Sequence, residues 1–255
     1  MTAGSRLVYG FHAVSARLRQ RATSVREVYV AEGRQDARTR GLLDLVAARN
    51  LRLVLLPMDR LDRMIPGVRH QGVACSVDAT APRWDVGEIL DGLANEPALL
   101  LMLDGVQDPH NLGACLRSAD AMGVHMVIAP KDRSVGLTPV VEKVASGAAE
   151  TVPYVMVTNL ARTIQDLQSR GIFVIGLAGE ADMPLAGADL SGPTALALGA
   201  EGTGLRRLTR ERCDALIRIP MAGAVESLNV SVATGICLYE ARRQRDSRAS
   251  SAKTV

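Results

Sequence analysis

The spacing of apolar positions changes along the chain, and the change divides it. Between about residues 5 and 79, helical spacing alternates with strand-like runs. "GFHAVSARLRQ", "ARTRGLLDLVAARN" and the shorter "MDRLDRMIP" place apolar residues three and four apart, which predicts helices. "VREVYVAEG", "LRLVLLP" and "QGVACSVDA" read as strands, the first two stopped by glycine and by Pro57. Together they predict a small α/β domain over residues 1–79. "TAPRWDVGEILDGLANEP" has two prolines and mixed polarity, and predicts a linker over 80–96 with a short lead-in helix.

From Ala98 the rhythm becomes strand, loop, helix, several times over. "ALLLMLDGV", "VHMVIAP", "TVPYVMV", "IFVIGLAG", "TALALGA" and "ALIRIP" read as strands, with helical stretches such as "NLGACLRSADAMG", "TPVVEKVASGAAE" and "ARTIQDLQSRG" between them. Their apolar runs are not confined to alternate positions. That pattern belongs to strands covered on both faces, hence to a mainly parallel sheet in a second α/β domain over 97–244. The polar, basic end of "RRQRDSRASSAKTV" predicts a disordered tail over 245–255.

Composition narrows the function classes. Hydrophobic residues make up 47% and charged residues 22%, which fits a folded globular chain. Aromatics are only 3%, which argues against a base-stacking platform. Cys75, Cys115, Cys213 and Cys237 are scattered in apolar surroundings without a C-x-x-C pair, so they read as reduced core thiols and no metal site is expected. No signal peptide and no membrane-length apolar run is seen, so a cytoplasmic protein without membrane contact is expected. Residues 1–80 hold 13 arginines and no lysine against 7 carboxylates, a surplus of +6, whereas the rest carries −3. Arginine forks suit phosphates, so the first domain is a candidate for an anionic partner; a solvated surface in an arginine-preferring chain is the plain alternative.

Three loops are rich in polar residues and glycine where an open α/β sheet binds ligands, beyond strand carboxyl ends. In "LDGVQDPHNLGACLR" a helix is expected to open near Asn111, with Gly113 permitting close approach and Arg117 two turns below. A helix start binds anions, yet Asn111 also reads as a plain cap and Arg117 as a surface cation. "LGAEGTGL" surrounds Glu201 with Gly199, Gly202 and Gly204; it wraps a ligand or makes a hairpin turn, and it lacks the dinucleotide fingerprint. In "IPMAGAVESLNVSVATGI", Glu226, Ser227 and Asn229 crowd the entry to the last helix, more polar residues than a cap requires. No G-x-S-x-G elbow surrounds Ser227, which argues against a serine hydrolase.

The order and wording of these loops resemble the three signature motifs of the SpoU branch of the SPOUT RNA methyltransferases: "NLGACLR", "LGAEGTGL" and "IPMAGAVESLNVSVATGICLYE". The first domain resembles the small RNA-binding domain of ribosomal-protein L30e type found in that family, through "VYGFHAV" and "RHQGVACSV". The resemblance implies a parallel sheet with a deep C-terminal trefoil knot, a homodimer, and S-adenosylmethionine as cofactor. It also implies 2′-O-methylation of a guanosine in 23S rRNA. By position it implies that Gly199, Ile219 and Leu228 contact the cofactor, with Gly202 and Met221 close by. Arg117 is the catalytic arginine by resemblance, with Asn111, Glu201, Ser227 and Asn229 around it. The family's proposed role for this arginine is base; a guanidinium gives up its proton only above about pH 12, which favours phosphate binding and alkoxide stabilisation. The same chemistry on another rRNA site or on tRNA, and a non-catalytic RNA-binding assembly factor, are the alternatives.

Overall fold

The computed structural model describes residues 5–20, 22–68, 70–78, 84–93 and 96–252. Part of the expected linker and the last three residues of the expected tail lie outside that range. The chain divides into two compact units, one formed by Met1–Arg83 with Ser146–Thr151, the other by Trp84–Ala145 with Val152–Val255.

The smaller unit contains β1 (Ser5–Tyr9), α1 (Phe11–Gln20), β2 (Val25–Ala31), α2 (Ala37–Ala48), β3 (Arg52–Leu56), α3 (Met58–Met64) and β4 (Val73–Asp78). The strands form a sheet in the order β1-β4-β2-β3, with β4 antiparallel to β1 and β2, and β2 parallel to β3. Alternation sorts the side chains: Val28, Val30, Cys75 and Val77 face Val14, Leu18, Leu42 and Val46, whereas Ala31 and Ala74 face Leu61 and Ile65. Asp36 caps α2 by accepting from Thr39 N at 3.0 Å. The strand β1 was not expected from its short polar-flanked pattern; pairing with β4 makes it.

The larger unit runs through α4 (Val86–Asp91), β5 (Leu99–Asp104), α5 (Pro109–Ala121), β6 (Met126–Pro130) and α6 (Pro139–Ala145). The chain then contributes α7 (Ala148–Thr151) to the smaller unit. It returns as β7 (Tyr154–Val157), α8 (Leu160–Ser169), β8 (Phe173–Leu177), β9 (Met183–Pro184), β10 (Thr194–Gly199), α9 (Arg207–Arg212), β11 (Ala215–Arg218) and α10 (Val230–Ala252). All registered pairs of the seven-stranded sheet are parallel, in the order β7-β6-β5-β10-β8-β11-β9. Every residue of β5 is buried, the double-sided coverage its unbroken apolar run predicts.

Two expectations are corrected. "TPVVEKVASGAAE" is not one helix: Ser146 and Gly147 take φ of 55° and 101°, which ends α6 and starts α7 afresh. The break carries Glu150, only 3% exposed, to Arg17, only 2% exposed, at 2.5 Å, while Arg6 reaches the same carboxylate at 3.0 Å. A charge pair formed so far apart in sequence overrides the local helical pattern. The second correction concerns the tail, because α10 continues to Ala252. Arg245, in the stretch expected to be disordered, donates to the carbonyls of Pro97, Ala98, Leu190 and Gly192 at the amino-terminal ends of β5 and β10.

Candidate active site

The site grows from the carboxyl ends of β5, β8, β10 and β11. At the end of β5, Gly105 turns with φ of 89° and the chain enters α5. Asp108 caps that helix, accepting from His110 N at 3.1 Å and Asn111 N at 3.3 Å, with Pro109 in the first turn. The helix therefore opens before Asn111, whose side chain is released from capping. Gly113 serves packing: a Cβ there would stand 2.6 Å from Val144 Cβ and 3.0 Å from Val141 O, so it lets α5 lie against α6.

The released Asn111 Nδ2 donates to Glu201 Oε1 at 3.1 Å. Asn229 Nδ2 donates to Asn111 Oδ1 at 2.9 Å and to the same Glu201 oxygen at 2.5 Å, and Val230 N reaches that oxygen at 3.3 Å. Asn229 stands just before α10, and its Oδ1 accepts from Ser231 N at 2.9 Å and Ser231 Oγ at 2.6 Å. One residue thus caps the last helix with its oxygen and joins the polar triangle with its nitrogen. Capping and site chemistry share the crowded polar entry.

Beside the triangle lies a cavity of about 730 Å³. Gly199, Gly202, Ile219, Met221 and Leu228 line it, as do Glu201 and Ser227. Asn111, Asn229 and Arg117 are not among its lining residues. Gly199 has no room for a side chain, since a Cβ would fall 1.9 Å from Gly204 C and 2.2 Å from Leu205 N. The loop after β10 folds back on it, with an Ala200–Gly204 bridge and positive φ at Gly202 and Gly204. One wall is therefore bare backbone.

Asp104 anchors this loop from behind. It is 1% exposed and accepts from Arg206 N at 3.0 Å and Arg206 Nε at 2.5 Å. The sequence reading did not assign it a role, although a carboxylate closing an otherwise apolar strand is the available signal. The rim formed by the segment after β8 was also missed; there Glu180 pairs with Arg210, and both line the cavity.

Arg117 stands apart. It lies six residues beyond Asn111, about 9 Å along the axis and on another face of α5. It is exposed and, among the described residues, forms no ion pair. The structure gathers Asn111, Glu201 and Asn229, places Ser227 on the cavity wall, and does not bring Arg117 to them within one chain.

The donor set fits S-adenosylmethionine. The volume is that of a small-molecule pocket, the backbone wall offers N–H and carbonyl groups, and Leu198, Leu205 and Val230 supply apolar surface. Glu180, Glu201 and Glu226 line the cavity together with Arg210 and Arg218, charges of both signs that suit a ligand carrying sulfonium, ammonium and carboxylate groups. Among the described residues, no group of three His, Cys, Asp or Glu side chains is arranged to hold a metal ion. Among the described residues, no helix is long and apolar enough to cross a membrane.

Comparison with known proteins sets the class. The SpoU rRNA methylase family matches residues 98–239, and a domain described as RNA 2′-O ribose methyltransferase substrate binding matches residues 7–82. The chain belongs to the SpoU rRNA methylase family, whose members use S-adenosylmethionine. Among its relatives is the 23S rRNA (guanosine-2′-O-)-methyltransferase RlmB of Ralstonia nicotianae, 58% identical over 241 residues, covering 94% of this chain and 96% of that one. The protein of the same name from Neisseria meningitidis is 55% identical over 245 residues, covering 95% and 97%. The SpoU methyltransferase AviRb from Streptomyces viridochromogenes, solved with AdoMet, superposes with a TM-score of 0.75 at 28% identity, covering 96% of this chain and 92% of its own.

Proposed function

We propose that this protein transfers a methyl group from S-adenosylmethionine to the ribose 2′-oxygen of a guanosine in 23S rRNA, in the cytoplasm. The carrying observation is the Asn111–Glu201–Asn229 triangle set against a backbone-walled cavity, in a chain 58% identical to a 23S rRNA guanosine 2′-O-methyltransferase. In this reading Gly199, Gly202, Ile219, Met221 and Leu228 hold the cofactor, largely through backbone, and the chain past β10 is threaded as a trefoil knot. When bound, the cofactor supplies an electrophilic sulfonium methyl group.

The chain's own residues must align the 2′-hydroxyl with that methyl and favour charge developing on oxygen. Asn111 orients the hydroxyl, its amide fixed by Glu201. Ser227 and Asn229 shape the pocket floor. Arg117 binds the phosphate beside the target ribose and stabilises the alkoxide. Its distance from the triangle along α5 supports a homodimer in which it serves the partner's site. A partner surface is at hand: Val232, Ile236 and Tyr239 of α10 are 50%, 37% and 60% exposed at i, i+4, i+7 spacing. Residues 1–79, with their arginine surplus, hold folded rRNA by phosphate contacts. Residues 97–244 form the transferase domain.

The test is transfer of labelled methyl from S-adenosylmethionine to unmodified 23S rRNA, mapped by resistance to alkaline cleavage. One modified guanosine is expected. Methylation confined to tRNA or to another rRNA site overturns the target, and no cofactor binding overturns the chemistry. Mixing Arg117→Ala with Asn229→Ala subunits is expected to restore part of the activity through hybrid dimers; hybrids that form without recovery argue for sites built within one chain.

A further inference from the structure

Many cationic side chains of the larger unit are already engaged, Arg206 by Asp104, Arg210 by Glu180 and Arg245 by four carbonyls. Lys131 and Arg133, in the turn leaving β6, are different. Both are exposed and, among the described residues, neither meets a carboxylate, Asp132 between them included. Arg133 also holds φ at 60°, a left-handed conformation that glycine takes with less strain. A glycine would make the turn more easily, yet the chain keeps a free guanidinium there.

The turn adjoins the site. Val135 N donates to Val106 O at 3.0 Å, tying this segment to the loop that leads into α5. A Cβ on Gly105 would lie 3.9 Å from Arg133 O and 3.7 Å from Ala200 Cβ, so Arg133 and the residue preceding Glu201 both approach the Gly105 turn. Its neighbour Ser134 carries a buried hydroxyl with no hydrogen-bond partner. Exposed cations, a strained backbone and an unsatisfied buried hydroxyl share this turn, and no group among the described residues answers them. Strain held in place at such a spot points to a ligand.

We propose that the turn Lys131–Ser134 is an RNA-phosphate site, with Arg133 as its principal contact, gripping the backbone of the strand that presents the target ribose. The proposal rests on the methyltransferase reading. It assigns the chemistry of a phosphodiester, to which a planar guanidinium offers two parallel N–H donors and an ammonium one point charge.

The test uses full-length Arg133→Gly and Arg133→Lys with 23S rRNA transcript. In Arg133→Gly the turn relaxes, so the thermal midpoint stays or rises. KM for RNA is expected to rise about tenfold, as for one lost charge-assisted contact, with kcat changed less than about twofold. The plot of log affinity against log salt should become shallower by about one. Affinity for S-adenosylmethionine stays unchanged. Arg133→Lys should keep the salt slope and recover only part of the KM. A parental KM and salt slope in Arg133→Gly overturns the proposal, as does a loss confined to kcat or to cofactor binding. If the parent protein methylates no RNA, the underlying reading falls instead, and the salt slope of RNA binding still decides whether Arg133 meets a phosphate.

Discussion

Glu201 shows how one side chain can organise others. A single carboxylate oxygen takes the amides of Asn111 and Asn229 and the backbone N–H of Val230, so the two side-chain carbonyls are turned in defined directions. The residue types of this triangle were legible in the sequence. Their mutual geometry was not, because Asp108 takes over the cap that Asn111 appeared suited to make. Arg117 gives the sharpest test at this scale. Arg117→Ala should lower turnover by about 100-fold or more while leaving cofactor affinity unchanged, in line with removal of a transition-state donor. Arg117→Lys keeps the charge and removes the fork; a loss above about tenfold is expected, and near-normal turnover would sink the claim that the planar head matters. Both are read from single-turnover rates beside cofactor titration.

Among the elements, the loop after β10 depends most on its residue types. Glycines announced a tight backbone in the sequence, but not what lay against it. That is the loop's own return, Gly204 and Leu205 falling on the space where a side chain of Gly199 would stand. Gly199→Ala must therefore move backbone. We expect a destabilisation of roughly 1–3 kcal/mol, as for overpacking, with a larger loss of cofactor affinity than of RNA affinity. Thermal melts and calorimetric titration separate the two, and unchanged cofactor affinity would show that the loop does not form the cofactor wall. The strands were the most readable elements, since a parallel strand buried on both faces writes an unbroken apolar run. The helical stretch over 138–150 was misread because periodicity reports the local face of a segment. It cannot report the Arg17 carboxylate partner, Glu150, whose buried pairing places α7 in the other unit.

For the whole molecule, two α/β units and an alternating parallel order followed from the pattern. A threaded connection and a dimer leave no periodic trace, and came only through resemblance. The four cysteines also act at this scale. Burial pushes Cys75, Cys213 and Cys237 up to about 12 and Cys115 to about 11, from an ordinary 9.0. The folded state keeps these protons while the unfolded chain loses them above pH 9, so stability is full below that value and falls as pH rises toward 11 and 12. Each thiol should remove about 1.4 kcal/mol per pH unit in that window. Urea unfolding between pH 8 and 11 should show the fall, and Cys75→Ala should lessen its slope by one thiol's share, about 1.4 kcal/mol per pH unit; a flat parental profile would contradict the assigned burial.

The helix α10 starts at the polar triangle and, about 22 Å further on, is buckled by Arg245 to four carbonyls at the opposite end of the strands. A tether pulled at its far end would load that buckle before any tension arrived at Asn229. The polar corner is in this sense strain-relieved, like a cable clamped where it enters its housing.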